Sequence, residues 1–357
     1  MIDIRPGTDA DRPRVIESVS EVFGDAAAQR AARYWDWQWQ LDPRLPAPGY
    51  RGIVAEWDGR IIGNLATQPA GLSIAGRAVT AWWTVDALVH WGLTRQALRA
   101  SRKQGGPRDA RLSGGIAAAL FDHPGAGPIQ LAKHISDPMM AILERIGFEP
   151  QAETGSRHRR VSTRHLIGRA LGTGLGDLGG RLADLALPRI PAPRLAVHPL
   201  TGGFDPRFDD LWDRLRAAYP AICRRDAALL NWRYGQHPDQ DYSTLILESE
   251  DGLRGYVVIK DFERKRRRRG RLVDLAHLPG DDPAIDALLA AALGELRRRR
   301  VERVECFASG AEVMRALSRI GFRPRLTKSG RVQPLMVRRL PDPRPEVQVT
   351  LGDGDGG

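Results

Sequence analysis

Cysteine is scarce in this chain: two residues, Cys223 and Cys306, in a length of 357. They lack metal-ligand spacing, so neither a structural metal site nor a disulfide framework is expected, and a reducing compartment suits them. Long apolar runs are missing too, and no stretch approaches the ~20 residues of a membrane span. The opening Met1-Ile-Asp-Ile-Arg-Pro6 carries no apolar signal region. A cytoplasmic protein without membrane attachment is expected. There is no acidic surplus: the net charge is +11, carried mostly by arginine. That charge alone does not separate a nucleic-acid partner, an anionic cofactor and a compositional bias. The densest runs, Arg264-Lys-Arg-Arg-Arg-Arg269 and Arg297-Arg-Arg-Arg300, suit a solvated hairpin tip and a solvated helix end. What is present is globular: 42% hydrophobic and 27% charged residues, in a chain long enough for two domains.

The most informative stretch is Met139-Met-Ala-Ile-Leu-Glu-Arg-Ile-Gly-Phe-Glu-Pro150. Met139, Ile142, Leu143 and Ile146 share one helical face, and Gly147 supplies a C-terminal stop. The stretch Val313-Met-Arg-Ala-Leu-Ser-Arg-Ile-Gly-Phe-Arg-Pro324 repeats it 174 residues later. Three further landmarks recur in the same order. Trp37 and Trp232 are 195 apart, Gly63 and Gly255 are 192 apart, and Asp86 and Asp274 are 188 apart. Four landmarks in one order argue for two copies of one α/β unit. The falling offset gives the first copy about 14 extra residues after Asp86.

Within the first copy, Ile2–Pro6 reads as a strand and Gly7–Asp11 as a turn with a helix cap. Val15, Ile16, Val19 and Phe23 then form a helical face. Three tryptophans stand between Tyr34 and Pro43 and are expected in a core or at its rim. Asp58-Gly59 joins two strand patterns as a hairpin. Leu72–Ile74 and Val79–Val89 are further strands, Leu93–Ser101 is a helix, and Leu112–Phe121 fits either state. Arg157–Leu166 is expected to close the first sheet. Residues 168–203, rich in Gly, Pro, Leu and Ala, read as a linker with an amphipathic helix over Leu178–Leu187. The pattern then restarts. Phe208, Leu211, Trp212 and Leu215 share a helical face, and Asp251-Gly252 marks a second hairpin. Pro283–Leu296 is a helix, Val301–Phe307 a strand and Val313–Ile320 a helix. The end, from Val347, is expected to be a short strand, loosely attached and frayed.

These residues resemble the GCN5-related N-acetyltransferases (GNAT). Ile2-Asp-Ile-Arg-Pro-Gly-Thr-Asp-Ala-Asp11 is similar to their first strand and helix start. Asp58-Gly-Arg-Ile-Ile-Gly63 resembles their second-to-third-strand hairpin, and the Arg-Ile-Gly-Phe helix their last helix. The resemblance covers both halves and implies an α/β fold of the α+β sandwich type. Two tandem GNAT-like domains are expected, each a mixed, mostly antiparallel sheet flanked by helices. Expected bounds are 1–167, a linker 168–203, 204–340 and a tail 341–357.

The resemblance also implies acetyl-CoA or another acyl-CoA as cosubstrate, in a cleft between the fourth and fifth strands. The pyrophosphate would sit on a helix N-terminus approached through small residues. In the first copy Val89, Gly92, Thr94 and Arg95 stand at that place, with Arg99, Arg102 and Lys103 beyond. Gly115 and Ala117 offer a second small-x-small pair, only 32 residues before Gly147. A literal match to the family's loop, Arg169-Ala-Leu-Gly-Thr-Gly174, follows the last strand of the first copy and lacks the required strand before it. In the second copy Asp281 and Asp282 occupy the place and would repel phosphate, so that copy is expected to be structural or to wall the cleft. Candidate bases are Asp86, His90 and Glu56, with Asp86 first because Asp274 repeats it; for each the competing reading is a structural polar residue at a strand end. The family's proton-donating tyrosine falls at Leu143 and Leu317, neither of which donates. No metal is implied.

Two functions follow. One is a CoA-dependent N-acyltransferase, of acetyl groups in the first instance, acting on a small amine or amino sugar. The other is a GNAT-fold protein without catalysis that binds an anionic ligand or polymer. Nucleic-acid binding through Arg264–Arg269 is a third reading. No aromatic interleaving supports a single-strand platform there, so nucleic acid is not the expected partner.

Overall fold

The computed structural model describes residues 2–103, 115–163, 179–180, 182–239, 241–264 and 266–354. The Arg169–Gly174 motif and residues 112–114 lie outside them.

Local sequence explains most elements. Pro13 opens helix α1 (Arg12–Phe23), and α2 (Asp25–Trp39) carries the three tryptophans. Asp58 and Gly59, with φ of 52° and 72°, turn β2 (Gly52–Trp57) into β3 (Arg60–Pro69). Helices α5 (Asp137–Arg145) and α9 (Ala311–Arg319) end in the same turn. Gly147 and Gly321 stand at φ 89° and 88° there, a left-handed backbone that side chains resist. The ambiguous stretch before Phe121 is helical, as α4 (Gly115–Asp122), because Ile116 and Leu120 lie on the sheet at β3.

Two sheets have equivalent orders. In the first, β1 (Asp3–Pro6), β2, β3, β6 (Ala81–Val89), β7 (Ile129–Ala132), β17 (Met336–Arg338) and β8 (Glu149–Pro150) lie side by side. In the second the order is β10 (Val197–Pro199), β12 (Tyr242–Ser249), β13 (Gly252–Arg264), β14 (Arg267–His277), β15 (Arg303–Ser309), β9 (Thr154–Arg160) and β16 (Arg323–Pro324). The match is position for position, so the duplication is structural. It also contains an exchange. β9, expected to close the first sheet, pairs with β15 of the second, Thr154 opposite Ser309 and Arg160 opposite Arg303. In return β17 leaves the second half and pairs with β7, Met336 opposite Ala132. Strand β10 falls within the stretch read as a linker.

A third, four-stranded sheet ties the halves together. It orders β18 (Val347–Gln348), β11 (Ala221–Cys223), β4 (Leu72–Ile74) and β5 (Arg77–Val79). The chain end is therefore not loosely attached: Val347, Val349 and Asp353 are fully buried. The alternating apolar side chains of Val347, Val349 and Leu351 enter the same core as Trp35, Trp39, Trp83 and Phe307. Burying three such side chains contributes several kcal/mol, at roughly 1.5–3 kcal/mol each, which outweighs the Gly- and Pro-rich flanks.

The repeated tryptophans meet each other. Trp37 and Trp232 stack at 4.5 Å and 8°, and each indole N–H donates to the other's carbonyl oxygen at 2.9 Å. Trp232 lies in a π-helical turn, Asn231–Gly235, that continues α7 (Ala227–Leu230). Around the pair stand Tyr34, His237 and Tyr242. One face of the first sheet is covered by α1 and α2. The other carries α4, α5 and α3 (Trp91–Lys103). In the second half α6 (Pro206–Ala218) and α7 cover one face, and α8 (Asp282–Arg298) with α9 the other.

Candidate functional site: a splayed strand pair in each half

Each half contains one parallel strand pair that parts company. In the first half β6 and β7 are paired only over Ala81–Trp83 and Ile129–Leu131. Thr84 Oγ donates to Leu131 O at 3.1 Å, and β6 then runs on to Val89 without β7. Register with β3 slips between Asn64 and Ala66, opposite Asp86. Asp86 itself has φ 47°, in the left-handed region that Asp enters more readily than most side chains, as a bulged strand position requires. Asn64 holds this bulge by donating to Asp86 O at 3.0 Å, and Tyr50 hydroxyl hydrogen-bonds Asn64 in turn. Burial, with the Asp86 charge second, raises the Tyr50 hydroxyl far above its ordinary pKa. The Asp86 carboxylate is exposed and accepts from Gln38 Nε2 at 3.2 Å.

At the far end of β6, buried Val89 lies opposite Gly63. His90 caps α3, its Nδ1 accepting from Leu93 N at 3.2 Å, and its Nε2 stands 3.6 Å from Glu21. A Cβ on Gly92 would meet that imidazole at 3.3 Å, so a small residue belongs there. Thr94 is buried with its hydroxyl unpartnered among the described residues, and Arg95 is exposed. No carboxylate lies in the first turn of α3. Gly115 starts α4 at φ 87°, and Ala117 is buried behind it. The structure thus places Asp86, Val89, His90, Gly92, Thr94 and Arg95 along one strand end and the helix that follows. Glu56 stands apart, two strands from β6. It pairs with Arg5 at 2.7 Å and Arg14 at 3.0 Å, and Arg5 outweighs burial to hold its carboxyl below the usual range. Leu143 and Leu317 are buried core residues on α5 and α9.

In the second half β14 and β15 pair over Arg269–Leu272 and Arg303–Cys306, then part. The chain's own end occupies this splay. Gly352 N donates to Val273 O at 2.7 Å, Thr350 bridges Ala308, and Val349 N donates to Ser309 Oγ at 2.6 Å. Asp274, the counterpart of Asp86, is fully buried. It accepts from Arg225, Thr350, Tyr234 and Tyr256 at 2.8–3.2 Å. Asp353 adds a second carboxylate, 2.6 Å from Arg225 and 3.4 Å from Arg233. None of Arg225, Arg233 or Thr350 was signalled by the sequence, because they come from segments remote from Asp274. Asp281 caps α8, accepting from Ala284 N at 3.2 Å, and forks with Arg254 at 2.5 and 2.6 Å. The two splays, alike in topology, therefore differ in what fills them. Among the described residues no cluster of three His, Cys, Asp or Glu is placed to hold a metal, and no helix is long and apolar enough to cross a membrane.

No family model and no curated sequence matches the chain. Solved structures do match in shape. A GCN5-related N-acetyltransferase from Anabaena variabilis superimposes at TM-score 0.56 and 12% identity, covering 95% of this chain and 72% of that one. A probable N-acyltransferase from Enterococcus faecalis gives 0.51 and 11%, with coverage of 95% and 72%. Saccharomyces cerevisiae N-myristoyltransferase with bound myristoyl-CoA gives 0.56 and 12%, covering 97% and 80%. At these identities the likeness is one of fold: the chain has the GNAT fold, in tandem.

Proposed function

We propose that the chain is a CoA-dependent N-acyltransferase whose first half takes the acyl-CoA, acetyl-CoA in the first instance, and whose acceptor is a small amine or amino sugar. One observation carries this reading. The first splay keeps an exposed carboxylate, Asp86, on a bulged strand whose end leads straight into a helix N-terminus. The equivalent carboxylate of the second half is locked away by Arg225 and the chain end. The residues fit the cosubstrate's chemistry. A helix whose first turn carries no Asp or Glu of its own, with Gly92 and Arg95, suits a pyrophosphate, and Gly115 and Ala117 provide a second close approach. The thioester supplies the acyl group. Asp86, steadied by Gln38, takes the proton from the acceptor ammonium directly or through water. Leu143 offers no proton, so the departing thiolate takes one from solvent.

The buried Leu143 is also what favours the second reading, a non-catalytic binding module, and one experiment separates the two. Acetyl-CoA is titrated calorimetrically into the full-length protein, since β9 and β17 are exchanged between the halves. Saturable binding at one site per chain is expected, weakened by Arg95→Glu. Asp86→Asn leaves that binding and lowers thiol release with an amine panel by about 10²–10⁴-fold. Binding without any thiol release supports the binding module. No binding of acetyl-CoA or longer acyl-CoA overturns the proposal, and two sites per chain overturn the reading of the second splay.

A further inference from the structure

The arginine run at the tip of the second hairpin is part of a larger surface that the sequence does not reveal. Residues paired across a sheet lie on one face, and alternate rows share it. On the second sheet one row is Phe262, Arg269, Arg303 and Arg160, from four adjacent strands. The next row on the same face is Lys260, Arg271, Glu305, His158 and Arg323. Three arginines directly abreast are unfavourable unless something negative balances them. Lys260 is matched by Asp241 at 2.9 Å and Asp239 at 3.7 Å, whereas Glu305 is shared between Arg269 at 3.7 Å and Arg325 at 3.2 Å. Neither Arg303 nor Arg160 forms an ion pair among the described residues, and Arg269 Nε is buried without an acceptor. Burial, then the neighbouring Arg269 and Arg160, depresses the Arg303 guanidinium. His158 is likewise lowered, by burial and then Arg303. On the opposite face the hairpin cation is matched: Arg268 and Arg299 both pair with Asp261, and Arg299 with Glu295.

We propose that this face docks the phosphate backbone of a nucleic-acid duplex. The cations are arginines, whose planar forks match phosphate oxygens. They form a two-dimensional array rather than a single track. Two aromatic rings stand on it, and both are covered: Phe262 by the Arg271 guanidinium at 4.7 Å, and Tyr242, opposite Lys260, by the Lys260 ammonium at 4.6 Å, so the stacking platform of a single-strand binder is missing. The face lies in the second half, and its occupant is independent of whether the first half takes acyl-CoA.

The test is anisotropy of a fluorescein-labelled 20-base-pair DNA duplex with the full-length protein over a salt series. Each phosphate neutralised contributes a slope of about −0.9 in log K against log salt. A slope of about −3 or steeper is expected. The triple variant Arg160→Gln, Arg269→Gln, Arg303→Gln should flatten it by about 2–3 and weaken binding at least tenfold, roughly, at 0.1 M salt. The control Arg297→Gln, Arg298→Gln, Arg300→Gln removes equal charge from the helix end on the other side and should change little. If the triple variant does not fold, the exposed pair Arg323→Gln, Arg325→Gln is read instead, with a slope change of about 2. No salt-dependent binding, equal loss in both triple variants, tighter binding of a single strand, or equal binding of polyglutamate each overturns the proposal, the last in favour of an acidic protein.

Discussion

Replacing Asp353 tests how the chain end is held. Its carboxylate is fully buried and reaches Arg225 at 2.6 Å, Arg233 at 3.4 Å and Thr350 N at 2.8 Å. Arg225 keeps Asp274 at 3.2 Å in an Asp353→Ala variant, but Arg233 loses its carboxylate. Removing one member of a buried charge network costs about 3–5 kcal/mol, because the remaining charge stays desolvated. Asp353→Asn retains an acceptor for Thr350 N and should be less severe by about 1 kcal/mol. The pH dependence has a definite sign. Burial works to raise the Asp353 pKa, but Arg225, Arg233 and Lys133 outweigh it, and the carboxyl sits below its ordinary value. Its stabilisation is therefore complete above the unfolded value of about 3.9 and is lost as pH falls through the lower folded value. Urea unfolding of the full chain should show the whole difference between wild type and Asp353→Ala from pH 7 down to about 4, and a narrowing gap only below that. A loss under about 1 kcal/mol at pH 7, or a gap that already closes near pH 6, would refute the reasoning.

Three further outcomes follow from the same packing. Trp37→Ala removes a stacked ring and the indole N–H that donates to Trp232 O; a loss of about 3–5 kcal/mol in urea unfolding is expected, against under half of that for an exposed leucine such as Leu41. Ending the chain after Leu335 deletes β17, which belongs to the first sheet, so hydrogen exchange should accelerate in β7 and β8 of the first half as well as in β14 and β15, where the tail is lost. His237, against Trp37 and Tyr242, is held near pKa 4, by burial first and then by Lys260. Its neutral form accepts from Asp239 N at 3.1 Å. Stability is thus fully present above the unfolded value near 6.5 and falls as pH drops toward 4, by up to about 3 kcal/mol. His237→Phe should flatten that limb of the urea-midpoint profile.

The duplication, both hairpins, the paired helix stops and the GNAT resemblance were legible in the sequence because they are local. An Asp-Gly turn, a 3.6-residue period and a glycine at positive φ act within a few residues of themselves. The candidate strand end from Asp86 to Arg95 was legible for the same reason, through the repeat of Asp86 at Asp274. The tertiary structure decided what each such feature is for. A strand's sequence does not state which sheet it joins, so the exchange of β9 and β17 was invisible. Asp86 and Asp274 look alike in one dimension. Only folding brings Arg225, Tyr234 and Thr350 onto one of them and leaves the other exposed. The tail's Gly-, Pro- and Asp-rich flanks signal fraying, but Val347, Val349 and Leu351 meet a core built from both halves. The basic face likewise joins Arg160, Arg269 and Arg303 from three strands far apart in the chain. Local order follows from backbone sterics and periodicity, which sequence carries directly. The partners of a charge or a strand edge are set by long-range packing, and that is where the two copies of one unit were made different.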